Sequence, residues 1–163
     1  MSSAERRRSD GAPGRGARLC TRAGRAVAWA GLTGVGVLHL VWASGSSWPE
    51  RNRRRLGEAV VGSRGVFPST AATATVGALL LGAGAVAGGS LGEGRGVTAA
   101  RRFIGAALLA RAALGGGASA AMLGLPPVGK RFTRLDRERY RPLCLTLGAA
   151  TLVGAAPRRA SGS

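Results

Sequence analysis

Charge in this chain is segregated along the sequence instead of being interleaved with apolar residues. Residues 26–49, 65–92 and 142–157 contain no Asp, Glu, Lys or Arg, and a fourth stretch, 103–129, is interrupted only by Arg111. A water-soluble amphipathic helix repeats its polar positions every three to four residues to keep one face wet. Uncharged blocks separated by basic ones instead match a bilayer, which asks for roughly 20 apolar residues per helical crossing of a ~30 Å hydrocarbon core. The net charge of +17 would by itself suit a nucleic-acid binder, but its confinement to short blocks between apolar ones favours the membrane. So does the glycine content. The chain has 28 Gly, many inside the uncharged blocks. Each costs about 0.8–1 kcal/mol in a soluble helix relative to Ala, whereas membrane helices use small residues for close approach.

The expected fold is all-α, a four-helix transmembrane bundle with Ala/Gly-rich close-packed helices. The spacing predicts spans over residues 26–45, 70–91, 103–125 and 142–156, the last being the shortest. Residues 1–25 read as a disordered basic tail and 157–163 as a polar one. In the second span Gly84 and Gly88, and separately Ala74, Ala78 and Gly82, recur every fourth residue. In the third, Ala112, Gly116, Ala120 and Gly124 do the same, which predicts a packing stripe. Pro126-Pro127 is expected to end that helix. The connection 126–141 is expected to lie along the membrane surface, with Phe132, Leu135 and Tyr140 inward and its arginines toward headgroups. A cleavable signal peptide ending near Ala43 is the rival reading of the first span. Arg6-Arg7 gives only a weak twin-arginine signal. With four spans, Lys and Arg divide twelve to eleven between the two sides, so charge bias leaves orientation open.

Two segments carry a family resemblance. His39-Leu40-Val41-Trp42-Ala43-Ser44-Gly45-Ser46-Ser47-Trp48-Pro49 resembles an H-x-x-W-A-x-G-x-x-W-P signature. Phe132 to Leu145 is similar to an F-x-x-L-D-x-x-x-Y-x-P-L-C-L block. In that order, each beside an apolar span, they resemble the domain-of-unknown-function family 3995, small bacterial multi-span membrane proteins with no assigned activity. The resemblance implies the fold and no reaction. Many members carry an acidic residue shortly after the position of Arg111. Here 112–117 contains none, so an arginine–carboxylate pair within the third helix is not expected.

The candidate polar sites are His39, Trp42, Arg111, Asp136 and Tyr140. His39 is the sole histidine, too few for a multi-histidine zinc site or paired haem ligation; a packing role is favoured. Trp42 and Trp48 fit interfacial anchoring. Asp136 and Tyr140, four apart, would share a helix face and fit a local brace better than catalysis. Arg111, the one charge inside a span, is a functional-site candidate, with snorkelling toward the Phe103 end as the favoured alternative. All seven carboxylates fall outside the predicted spans, which argues against a proton-coupled cation exporter. Cys20 and Cys144 form neither a disulfide framework nor a metal motif. No catalytic residues, cofactor or metal are expected. The expected partners are the lipid bilayer with anionic headgroups, and another membrane protein or a second copy. Nucleic acid is disfavoured. Function reads as a non-catalytic accessory or envelope-associated subunit. The alternatives are a small transporter or channel for an anion or polar solute, and a membrane-tethered binder of nucleic acid or anionic lipid through the Arg-rich tail. The Arg-over-Lys, Ala/Gly-rich composition fits a GC-rich bacterial genome, hence a multi-pass location in the cell membrane with the first span retained. The chain is expected to stay in the membrane pellet through an alkaline carbonate wash; release into the supernatant would overturn this architecture.

Overall fold

A computed structural model of the chain describes residues 13–63, 67–122, 124 and 127–156, all helix and connection with no strand among them. The elements are α1 (Pro13–Ala43), α2 (Arg53–Val60), α3 (Thr70–Gly88), α4 (Arg95–Met122), α5 (Lys130–Leu135), a π-helical turn (Asp136–Tyr140) and α6 (Arg141–Gly154). Three helices are long and apolar enough to cross a membrane: Arg15–Ala43, Thr70–Gly88 and Arg95–Met122. These coincide with the first three of the four predicted spans. α6 has 14 residues, which at ~1.5 Å each give about 21 Å, short of a ~30 Å core.

The predicted boundaries shift because charge does not end these helices. α1 starts at Pro13, so residues 13–25 are helical and not a disordered tail; Pro is compatible with a first helical turn. α4 starts at Arg95, eight residues before the predicted span, and stops at Met122. Residues 1–12, Pro126 and the 157–163 tail lie outside the described residues. α3 ends three residues early, where Gly89 takes φ +93 and the Gly89 and Ser90 N–H groups bond back to Val86 and Ala85 O. This is a Schellman cap, whose left-handed position favours glycine. Its start is capped by Ser69, whose hydroxyl accepts from Ala72 N. The 126–141 connection is itself largely helical, running through the π turn into α6.

Small residues set how the helices meet. α1 packs antiparallel on α3. A Cβ built on Gly36 would lie 3.0 Å from Gly77 O, and one on Gly84 2.8 Å from Thr33 Oγ1. α1 also packs antiparallel on α6, where a Cβ on Gly24 would lie 2.7 Å from Ala150 O. α6 in turn lies against α4, with Gly105 and Gly148 opposed. Ala28, Leu32, Ala87 and Leu147 form the core where α1, α3 and α6 converge. In α4, Ala112, Gly116 and Ala120 are buried as the stripe predicted, while Gly124 is exposed beyond the helix end. In α3 the Ala74–Ala78–Gly82 ladder does not pack. Gly82 is exposed with nothing within 4 Å of its would-be Cβ, and the buried line is Thr73, Gly77, Gly84 and Ala87. The ladder sits one position off the contact face.

Gly24→Ala should therefore destabilise the detergent-solubilised protein by about 1–3 kcal/mol, because its methyl meets a backbone oxygen that cannot rotate away. Gly82→Ala should be neutral or stabilise by up to ~1 kcal/mol. Thermal unfolding of both variants tests the assignment of the two faces.

Candidate functional site

α4 is broken at Gly115, which takes φ 79 and ψ 169, a combination essentially restricted to glycine. A break in an apolar helix frees carbonyl and N–H groups, and each left buried and unpaired costs about 1–3 kcal/mol. Here side chains from the far end of the chain satisfy them. Arg141 donates from Nε to Ala112 O at 2.7 Å and from Nη2 to Ala113 O at 3.0 Å. Asp136 Oδ2 accepts from Gly116 N at 2.8 Å, and its Oδ1 accepts from Arg111 Nη2 at 2.7 Å. Ser119 Oγ closes the remaining side by donating to Gly115 O at 2.9 Å. Asp136 is 6% exposed and Arg111 Nη1 is buried with no hydrogen-bond partner among the described residues. The glycines are needed at this point. A Cβ on Gly116 would lie 2.4 Å from the Phe132 ring, and one on Gly115 3.3 Å from Asp136 Oδ2.

One expectation is thereby corrected. Arg111 does not snorkel toward Phe103; it turns the other way, to a carboxylate. The missing acid of the third helix is supplied by the connection, since Asp136 folds back against the break. Ser119, a conceivable partner for Arg111, bonds Gly115 instead. Of the side-chain directions expected for 126–141, Phe132 is buried, Leu135 and Tyr140 are half-buried and Arg134, Arg137 and Arg139 are exposed, whereas Arg131 and Arg141 turn inward, onto Glu50 and the α4 carbonyls.

A second cluster closes the opposite end. Arg25 donates from Nε to Gly154 O at 2.9 Å and makes a two-pronged contact with Glu93, its Nη2 lying 2.8 Å from Oε2 and its Nη1 bonded to Oε1. Arg101, fully buried, donates from Nε to Val86 O at 3.0 Å and reaches Glu93 Oε2 at 3.5 Å. Each arginine thus covers a carbonyl near a helix C-terminus while sharing one carboxylate, a use that suits cations at helix C-termini. Neither Arg101 nor Glu93 stands out as a candidate in the sequence. The every-fourth-residue stripe, extended backward from Ala112, runs through Leu108 and Ile104 to Ala100 and so gives no pointer to Arg101.

The remaining candidates hold the end of the molecule that carries α2 and α5. His39 Nδ1 lies 2.8 Å from Val35 O and its ring 5.0 Å from that of Trp42; no hydrogen bond among the described residues joins it to Arg111. Trp42 is buried, and its indole donates to Trp48 O at 2.7 Å. It is therefore a loop clasp, while Trp48, 66% exposed, is free to anchor at an interface. Arg53 extends the clasp by donating to Trp42 O at 3.2 Å with its guanidinium over the Phe67 ring. Tyr140 O–H donates to Ala59 O at 3.0 Å, and burial pushes the phenol above its ordinary 10.0. Arg131 joins α5 to the α1–α2 side through Glu50 and, at 4.0 Å, Glu58. The five candidates thus form two groups, Arg111 with Asp136 and His39 with Trp42, while Tyr140 braces α2. Among the described residues no group of His, Cys, Asp and Glu is placed to hold a metal ion.

The family described as "Protein of unknown function (DUF3995)" matches residues 32–151, and the chain belongs to it. The match includes both sequence motifs and every residue of the α4 break. No curated protein matches the chain, and no solved structure does.

Removing one partner of a buried ion pair strands the other. Because Arg111 keeps some exposure, its side chain being 28% accessible, the cost of Asp136→Ala should fall on the order of 2–4 kcal/mol, at or below the fully buried range. Asp136→Asn should cost less, since an amide oxygen still accepts from Gly116 N–H. The Arg111→Leu, Asp136→Leu double variant should be less damaged than the sum of its singles by about 1–3 kcal/mol. Additive losses in detergent unfolding would show that the two side chains are not coupled.

Proposed function

We propose that this family member acts as a non-catalytic accessory or envelope-associated subunit of the bacterial cell membrane, a four-helix multi-pass bundle in which α6 is the fourth crossing. One observation carries the reading. The buried or half-buried arginines of the long helices and α6 are engaged by the fold itself: Arg25 and Arg101 by Glu93 and helix-end carbonyls, Arg111 by Asp136 through Nη2, Arg141 by the carbonyls of the α4 break. A site that turns over substrate keeps such groups available to it. The place of α6 is supported by its packing between α1 and α4, with Leu147, Gly148, Thr151 and Gly154 buried. Its shortfall in length is of the kind accommodated by local thinning of the bilayer.

The second reading, a small transporter or channel for an anion or polar solute, draws on the break at Gly115, because transporters build midplane sites from discontinuous helices. Against it, the N–H exposed by this break already faces the protein's own carboxylate. The expected result is that extraction in mild detergent yields the chain with a stoichiometric membrane partner, and that the purified chain adds no anion flux to liposomes. A monodisperse chain without a partner that conducts anions would replace the first reading with the second.

A further inference from the structure

The inward register of residues 130–140 determines what the opposite face can do. Phe132 packs on Gly116, Asp136 bonds Arg111 and Gly116 N, and Tyr140 bonds Ala59 O. Those three sit four residues apart and fix one face against the bundle. Lys130, Thr133, Arg134, Arg137 and Glu138 are consequently turned outward, and with Val128 they line a hollow of about 330 Å³. Three cations and one carboxylate give it a net charge of +2. No ion pair within the described residues engages Lys130, Arg134 or Arg137, whereas Arg25, Arg101, Arg111 and Arg131 are all paired to carboxylates. The hollow lies at the foot of α6, where the chain passes from a charged stretch to apolar residues. Leu143 and Leu145, one to two turns beyond it, are 42% and 56% exposed. Ligand sites range over about 300–1,000 Å³, so this one has room for a headgroup and not for a whole lipid.

From this placement we infer that the Lys130–Arg134–Arg137 hollow binds the phosphate of an anionic phospholipid, whose acyl chains run beside the exposed apolar start of α6. Two or three converging cations recognise a phosphodiester that carries net charge and discriminate against a zwitterionic headgroup, in which an ammonium would meet the same cations. The glycerophosphate of phosphatidylglycerol has that chemistry. The inference rests on the reading of the chain as an integral membrane protein and adds a lipid site to it.

The test uses the full chain in nanodiscs of phosphatidylcholine alone and of equimolar phosphatidylcholine and phosphatidylglycerol, with retained lipid read by native mass spectrometry after gentle release. The wild type should keep phosphatidylglycerol in preference to phosphatidylcholine. The triple variant Lys130→Gln, Arg134→Gln, Arg137→Gln should weaken that retention on the order of 10–100-fold. A control triple of exposed arginines elsewhere, Arg54→Gln, Arg55→Gln and Arg102→Gln, should leave it within about twofold. Because all six positions are exposed, loss of fold is not the expected confounder, and an unchanged melting midpoint checks this. Equal retention by both triples, or equal retention of the two lipids by the wild type, overturns the site while leaving membrane integration intact. Displacement of the lipid by millimolar inorganic phosphate would assign the hollow to a soluble phosphate instead and also overturn the proposal. Release of the wild type by alkaline carbonate would instead sink the membrane reading on which it depends.

Discussion

A break in an apolar helix is tolerable only where something other than water answers the backbone groups it frees, and at Gly115 that constraint organises half of the molecule. Two carbonyls and one N–H of α4 are met by Arg141 and Asp136, so α4 cannot keep its shape unless the chain segment between α5 and α6 is docked. The dependence runs in both directions. Asp136 is buried because Arg111 and the Gly116 N–H repay its desolvation, and α6 is oriented because Arg141 is fixed on α4. Within hydrocarbon an irregular backbone survives only when buried in protein in this manner. The Gly116–Phe132 contact adds the steric half of the arrangement, since any side chain at 116 would expel the ring that covers the break.

The same economy explains why arginine and not lysine carries the charge. The chain has 23 Arg and one Lys. Genome composition can bias that ratio, but the structure also uses what only a guanidinium offers. Arg25 bonds a carbonyl with Nε and a carboxylate with both Nη atoms, and Arg101 and Arg131 likewise divide themselves between a carbonyl and a carboxylate. A lysine ammonium is a compact point charge and lacks the planar fork needed to hold both acceptors in fixed directions. Glu93 then serves two arginines at one end, as Asp136 serves Arg111 and a backbone N–H at the other. Much of the basic charge near the helix ends is thus bonded internally, leaving the outward faces of α2 and the 130–139 stretch as cationic surface.

How far this was legible in the sequence follows from what each signal measures. Uncharged blocks located the three long helices because hydrocarbon excludes charge, and the Ala112–Gly116–Ala120 stripe gave the contact face of α4. The helix ends were misplaced because charge reports the edge of the apolar zone, while a helix continues through arginines whose stems lie on apolar surface. Hence α1 begins at Pro13 and α4 at Arg95. Asp136 reads as a local brace but not as the partner of Arg111, because no acid lies within the third helix itself. The pairing is long-range, set by how the connection folds back, and periodicity along one helix carries no information about it. The one local hint was the run Gly115-Gly116-Gly117, a poor helix sequence opposite which something bulky had to sit. Arg101 and Glu93 lie just outside the predicted spans, where charge alone does not distinguish a solvated residue from one bonded inside the bundle.

The π-helical turn completes the account of why one short segment can serve both sides of the break. Asp136 and Arg141 are five residues apart. In an α-helix, with 3.6 residues per turn, they would be rotated about 140° from each other, and only one could face α4. A π turn closes its hydrogen bond from residue i to i+5, and here Arg141 N–H bonds Asp136 O. The wider turn brings residue i+5 back over residue i, so the acceptor for the Gly116 N–H and the donor for the Ala112 and Ala113 carbonyls lie on the same face. A π turn is less favourable than continued α-helix and persists only where tertiary contacts fix it; the four hydrogen bonds that Asp136 and Arg141 make to α4 are those contacts. The irregularity in the connection and the irregularity in α4 are thus two halves of one structure. Each places in register the polar groups that the other leaves unmet, and a regular helix on either side would leave its partner's backbone unsatisfied.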